Sequence, residues 1–291
     1  MEADPTVRCV ADVRAVLGEG PVWVGREAAL YWVDIEGRKI FRLGEDDELR
    51  EWDTPLRVGS IAPRVAGGFV AATDQGIALI DLARGTFEVV ARPEADRPSN
   101  RFNDGKVDRR GCFWAGSMDD DQRIASGALH RIDDPRAPRQ VDDGYRITNG
   151  PAFNASGDTM YVNDTALQVT YAFDLDPAGN LANRRRFIDH EDSVGSPDGM
   201  TVDAEDCLWI AMWSGWCLRR FSPSGGRLGE IRLPVGQPTS CAFGGPDLDR
   251  LYVTSARIGL DESALAMQPK AGGTFVVSAG VRGLAELPFN G

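Results

Sequence analysis

The sequence predicts an all-β fold, a six-bladed β-propeller built from four-stranded blades. Three observations predict it. Helical periodicity is nearly absent, with one short candidate helix at residues 262–267. Short alternating or apolar runs punctuated by Gly, Pro, Asp and Asn take its place, the pattern of strands and turns. The runs form six hairpin pairs that recur every 41–49 residues, close to the repeat of four-stranded propeller blades.

Taken in order, the hairpins pair residues 29–35 with 39–44, 68–73 with 76–82 and 112–118 with 127–132. They continue with 159–165 and 169–175, 207–213 and 217–222, and 250–256 and 274–279. Each is preceded by a short strand that starts at a turn: 20–24, 60–65, 103–108, 149–154, 197–203 and 238–244. Five hairpins are followed by a fourth strand, such as 49–55, 86–93 and 228–234. The sixth has none of its own, while residues 7–15 read as an unpaired strand. That strand is expected to close the ring by completing the last blade, which removes a long free edge. The expected organisation is a single domain over residues 1–291. Trp32, Trp114 and Trp209 fall in second strands and read as packing between blades. Trp213 and Trp216 flank a turn near the channel mouth, with packing the favoured role.

The first strand of each repeat is innermost in a propeller, so equivalent residues at its entrance ring one mouth of the axial channel. Those residues are Glu19, Ser60, Asn103, Asn149, Asp198 and Thr239, at intervals of 41, 43, 46, 49 and 41. Asn-Gly, Asp-Gly and Glu-Gly pairs favour turns on their own account, but a bare turn does not need the Glu of LGEGP. Glu19 and Asp198 facing each other in a narrow channel would raise each other's pKa unless a cation lay between them. An all-oxygen set with two carboxylates suits one divalent cation such as Ca²⁺, Mg²⁺ or Mn²⁺, with Zn²⁺ and Fe²⁺ also compatible.

Composition narrows the function. A net charge of −12, from 32 basic and 44 acidic residues, speaks against nucleic acid or an anionic membrane as partner. The basic run Arg184–Arg186 reads as a solvated strand. The N-terminus lacks the apolar stretch of a signal peptide and no 18-residue apolar run exists, so a cytoplasmic protein is expected. The five cysteines are odd in number and lack a C-x-x-C spacing, which favours reduced thiols. Two histidines argue against a His-rich zinc site and a Ser-His-Asp triad.

The motifs LGEGPVW (17–23), RFNDGKVD with GCFWAGSM (101–118), ITNGPAF (147–153), YVNDT (161–165), SPDGMTVD (196–203) and CLWIAMW (207–213) together resemble the senescence-marker protein/gluconolactonase/regucalcin family. The likeness runs nearly end to end and is nearest the bacterial sugar-acid lactonase branch. It implies that Glu19, Asn149 and Asp198 hold the cation and that Asp198 also accepts and donates the proton. Arg101 and Asn103 would hold the substrate, with Asn103 near the metal. An acidic residue after AGSM contacts substrate in some relatives; an ungapped count selects Asp121, with Asp119 and Asp120 as alternatives. Asp164 reads as a neighbour of the mouth or a turn former, and His190 as a surface residue, with approach to the substrate as the alternative.

The resemblance implies hydrolysis of a sugar-acid lactone, a small molecule, to the open-chain acid. A monomer is expected because the propeller closes on itself. Two other readings compete. One is another ester hydrolase on the same propeller, a phosphotriesterase or aryl-ester lactonase, since a fold hosts many chemistries. The other is a non-enzymatic cation-binding protein, which would have no need of the polyol-binding pair Arg101 and Asn103.

Overall fold

The computed structural model describes residues 6–190 and 194–291. Its strands form six four-stranded antiparallel sheets, the blades of a six-bladed β-propeller. The innermost strands, in chain order, are Gly18–Val24, Val58–Pro63, Asn100–Val107, Thr148–Phe153, Ser196–Val202 and Pro238–Gly244. Blades 1 to 6 are numbered by these strands. Each innermost strand packs beside those of its two neighbours, so the six together wall the axial channel. The sixth blade is completed by Val7–Ala11, which pairs antiparallel with Thr274–Ser278 and closes the ring.

Blade interfaces form the core. Between blades 1 and 2, Val22, Tyr31 and Ile40 pack with Ile61, Phe69 and Ile80, and the other interfaces repeat the scheme. Trp114 and Trp209 pair with Lys106 and Thr201, equivalent positions of their blades. Each indole donates to an aspartate at the end of the innermost strand, Trp114 to Asp108 and Trp209 to Asp203, both at 2.9 Å. Trp32 is equally buried but lies two residues further along its strand, since Leu30 occupies the position paired with Trp23. Its indole N–H has no partner.

The short helix Glu262–Met267 sits between the second and third strands of blade 6, with Asp261 accepting from the Ala264 N–H at 2.8 Å as its N-cap. The last ten residues cross the end of the channel away from Glu19. The Ala204 N–H donates to Arg282 O at 2.8 Å, and the Phe289 N–H to Pro63 O at 2.7 Å. Phe289 is fully buried among Ala62, Val107 and Phe113. Among the described residues no helix is long and apolar enough to cross a membrane, and all five cysteines are free thiols.

Candidate active site

Every innermost strand carries a register break near its entrance: after Glu19, Val58, Phe102, Asn149, Pro197 and Pro238. A bulge re-aims side chains that strict alternation would send into the blade. The glycines beside these breaks permit the tight ring. Gly20 and Gly150 adopt φ of +54° and +80°, which L-residues with a side chain disfavour. A Cβ on Gly199 would lie 2.2 Å from Ser240 Oγ of the next blade. The Asx-Gly and Glu-Gly pairs are therefore bulges on the axis rather than loop turns.

The result is a cavity of about 470 Å³ at the entrance end. Glu19, Arg101, Asn103, Asn149 and Asp198 all line it, and each is between 2% and 6% exposed. Of the other two ring positions, Thr239 is fully buried and donates to Gly18 O at 2.5 Å. The Ser60 hydroxyl is buried without a partner and does not line the cavity.

A hydrogen-bond chain orders the polar floor. Arg101 donates from Nε to Asp120 at 2.8 Å and from Nη1 to Asn103 Oδ1 at 2.7 Å. Asn103 Nδ2 donates to Thr148 O and Asn149 Oδ1, at 2.8 and 2.9 Å. Asn149 Nδ2 donates to Thr165 Oγ1 at 2.7 Å, and Thr165 donates onward to Pro197 O at 2.7 Å. Both carboxamides are thereby oriented, with the Asn149 oxygen on the side of Asn103.

Electrostatics at the floor are severe. Burial, then the charges of Asp198 and Asp104, push Glu19 well above the usual carboxylate range. Burial, then Asp104, does the same to Asp198. Asp104 is a participant that the sequence reading passed over. Burial raises it to about 6, against the lowering effect of Lys106 and of N–H donors on Gly105 and Gly150, which bond it at 2.8 and 3.0 Å. The bulge after Phe102 lets Asn103 and Asp104 both face inward, and that double inward turn is invisible to period-two alternation. Asp104 lines a narrower space below the cavity, where Lys106 pairs with Glu286 of the C-terminal segment at 3.1 Å.

A divalent cation fits these residues. Two buried carboxylates that repel each other and an oriented carboxamide oxygen form an all-oxygen donor set with charge to neutralise. Among the described residues no three His, Cys, Asp or Glu side chains converge into a metal centre by themselves, so the fit depends on Asn149.

The structure does not bring Asp121 to the cavity. Its side chain is 61% exposed and pairs with Arg123. Asp120 lines the cavity instead, bound by Arg101 and by Arg57 at 2.7 Å. Partial burial opposes ionisation of Asp120, but the two guanidiniums outweigh it and hold its pKa low. The turn is held at its base, where Asp119 accepts the Arg123 N–H at 2.7 Å and the Asp120 N–H donates to Ser99 O at 2.9 Å, and Arg57 and Arg101 receive the Asp120 carboxylate. That turn aims Asp120 inward and Asp121 outward.

His190 is not a surface residue; it is 3% exposed. Its Nε2 lies 2.9 Å from Thr170 Oγ1, whose proton goes to Asn163 Oδ1 at 2.6 Å. Nε2 therefore donates to Thr170. Asn163 Nδ2 in turn donates to the backbone carbonyl of Asp198 at 2.6 Å, so three buried residues pin Asp198 from behind. Asp164 accepts the Arg146 N–H at 3.0 Å and is a turn former. Trp213 lines the cavity.

Comparison with known proteins gives the family and agrees with the fold. The family model described as SMP-30/Gluconolactonase/LRE-like region matches residues 17–257. Regucalcin of Danio rerio is 37% identical over 291 residues, covering 98% of each chain. The 6-deoxy-6-sulfogluconolactonase of Pseudomonas putida is 36% identical over 288 residues, covering 98% of this chain and 99% of that one. The crystal structure of a calcium-binding protein, regucalcin, from Agrobacterium tumefaciens superposes with a TM-score of 0.94 at 29% identity, covering 98% and 97% of the two chains. A match over most of the sequence, at this identity and with the same fold, leaves one assignment: the chain belongs to the SMP-30/gluconolactonase/LRE-like family.

Proposed function

We propose that this chain is a lactonase that opens sugar-acid lactones to aldonic acids in a sugar-oxidation pathway, with one divalent cation held by Glu19, Asn149 and Asp198. The observation that carries the reading is the pairing of two buried, mutually repelling carboxylates with the ordered Arg101–Asn103–Asn149 chain on one cavity floor. Relatives named as lactonases, among them the Pseudomonas enzyme, support the reaction class.

A bound cation would supply Lewis-acid stabilisation of charge on the lactone carbonyl oxygen. The chain's own residues do the rest. Asp198 takes a proton from the attacking water and returns it to the ring oxygen as the ester bond breaks. Asn163 fixes the Asp198 backbone, so the carboxylate is held in position before the substrate arrives. Arg101 and Asp120 offer a donor and an acceptor to the substrate hydroxyls, and Asn103 sets the carboxamide of Asn149.

The test is proton release, followed with a pH indicator, from fresh xylono-, arabinono-, glucono- and galactonolactone. Hydrolysis lost on metal stripping, restored by one divalent ion and absent in Asp198→Asn is the expected result. No hydrolysis above background by folded, metal-loaded protein would refute the reading.

A further inference from the structure

Among the described residues, ten large hydrophobic side chains remain exposed. Single exposed apolar residues are ordinary on a protein surface. Their distribution here is not. Val16, Ile124, Leu167, Val194, Trp216, Ile258 and Met267 all lie on connections at the cavity end of the propeller; only Leu49, Val65 and Leu228 lie elsewhere. The Ile258 N–H donates to Val16 O at 2.9 Å, which sets those two side by side. The Trp216 ring lies over Gly236, where an added Cβ would come within 3.0 Å of it.

The cavity wall is divided in the same sense. On the side of blades 1 to 3 stand Glu36, Arg101 and Asp120, tied together by Arg57, which reaches Glu36 at 3.2 Å and Asp120 at 2.7 Å. On the side of blades 4 to 6, and in the linker from blade 6 to blade 1, stand Ala166, Trp213, Ile258 and Leu17. Above the polar floor, to which Asn149 and Asp198 of the second side also belong, the lining is largely charged on the first side, with Met118 among it, and largely apolar on the second, with Thr165 and Ser196 among it. The apolar side continues outward into the exposed residues, Ile124 of blade 3 excepted. A volume of about 470 Å³ lies in the range that takes drug-sized ligands, more than one hydroxylated lactone ring fills.

We infer that the preferred substrate is an amphipathic lactone: a hydroxylated ring on the charged wall, and an apolar substituent on the carbon remote from the carbonyl, laid along Trp213, Ile258 and Leu17. This inference rests on the lactonase reading and narrows its substrate class. The apolar wall has no role in the chemical step, so its contribution is to binding. Each methylene it removes from water is worth up to about fourfold in kcat/KM, expressed mainly in KM.

The test compares L-arabinono-1,4-lactone with its 5-O-benzyl ether, on the same metal-loaded protein. The expected result is a kcat/KM at least tenfold higher for the ether, chiefly through KM. In Ile258→Asp and in Trp213→Gln the ratio of the two substrates falls at least threefold. Hydrolysis of the parent lactone with no gain for the ether, or a gain that both variants leave intact, overturns this inference and leaves the lactonase reading standing. Hydrolysis of neither, with any divalent cation, overturns both.

Discussion

Thr170→Val tests the chain that holds Asp198 from behind. The substitution nearly conserves shape and removes one hydroxyl from a site with no exposure. That hydroxyl donates to Asn163 Oδ1 and accepts from His190 Nε2, so its loss leaves two buried polar groups unpaired. Each costs about 1–3 kcal/mol; with some relaxation the loss is roughly 2–4 kcal/mol. A chain of 291 residues unfolds with an entropy of about 0.6 kcal/mol/K near its midpoint, so Tm falls by about 3–7 °C. Asn163, freed on one side, no longer fixes the Asp198 carbonyl, and kcat falls about tenfold or more, because small displacements at a reacting group are expensive. His190→Phe serves as the partner in a double-mutant cycle. The two substitutions together should cost less than their sum by about 0.5–3 kcal/mol. Scanning calorimetry and the proton-release assay read both effects. A Thr170→Val protein melting within about 1 °C of wild type would refute the hydrogen-bond chain.

Three further outcomes are expected. Asp120→Asn raises KM for aldonolactones about fivefold or more, the scale of one charged hydrogen bond, while Asp121→Asn leaves kcat and KM as they are; steady-state kinetics separates the two. A divalent cation at a hundred times its Kd adds about 2.7 kcal/mol of stability, or about 4 °C in Tm by the entropy used above. Thermal-shift measurements should find that increment abolished in Glu19→Gln and Asp198→Asn, each of which melts higher than wild type without metal because it relieves buried carboxylate repulsion. Burial, with the Arg97 charge, depresses His130 to about 4; Glu94, 3.8 Å away, is already bonded to Ser117 and does not offset this. An unfolded histidine takes its proton near pH 6.5, so the unfolded chain binds more protons between about 6.5 and 4. The stability due to a neutral His130 is therefore complete above that window and lost as pH falls through it, by up to about 3 kcal/mol. Urea midpoints at pH 7.5 and 5.0, taken as the difference between wild type and His130→Phe, isolate this from the axial carboxylates, whose raised pKa values act in the opposite direction.

The blade repeat was legible in the sequence because its causes are local. Alternation, turn residues and a period of 41–49 residues specify each hairpin, and an N-terminal strand without a neighbour implies closure on the last blade. Glu19, Asn103, Asn149 and Asp198 were found through the same register. What the sequence could not resolve depends on contacts far apart in the chain. Asp120 rather than Asp121 faces the cavity because Arg57, 63 residues earlier, is there to receive it. Asp104 turns inward through a bulge, and His190 is drawn under Asp198 by Thr170 and Asn163 of its own blade. Trp32 lies out of step with Trp114 and Trp209 although all three occupy second strands. Periodicity states which face of a strand a side chain takes; bulges and loops take their direction from whatever partner the assembled ring brings within hydrogen-bonding distance. The apolar half of the mouth has the same origin, since its residues come from separate connections and become one surface only when six blades close around an axis.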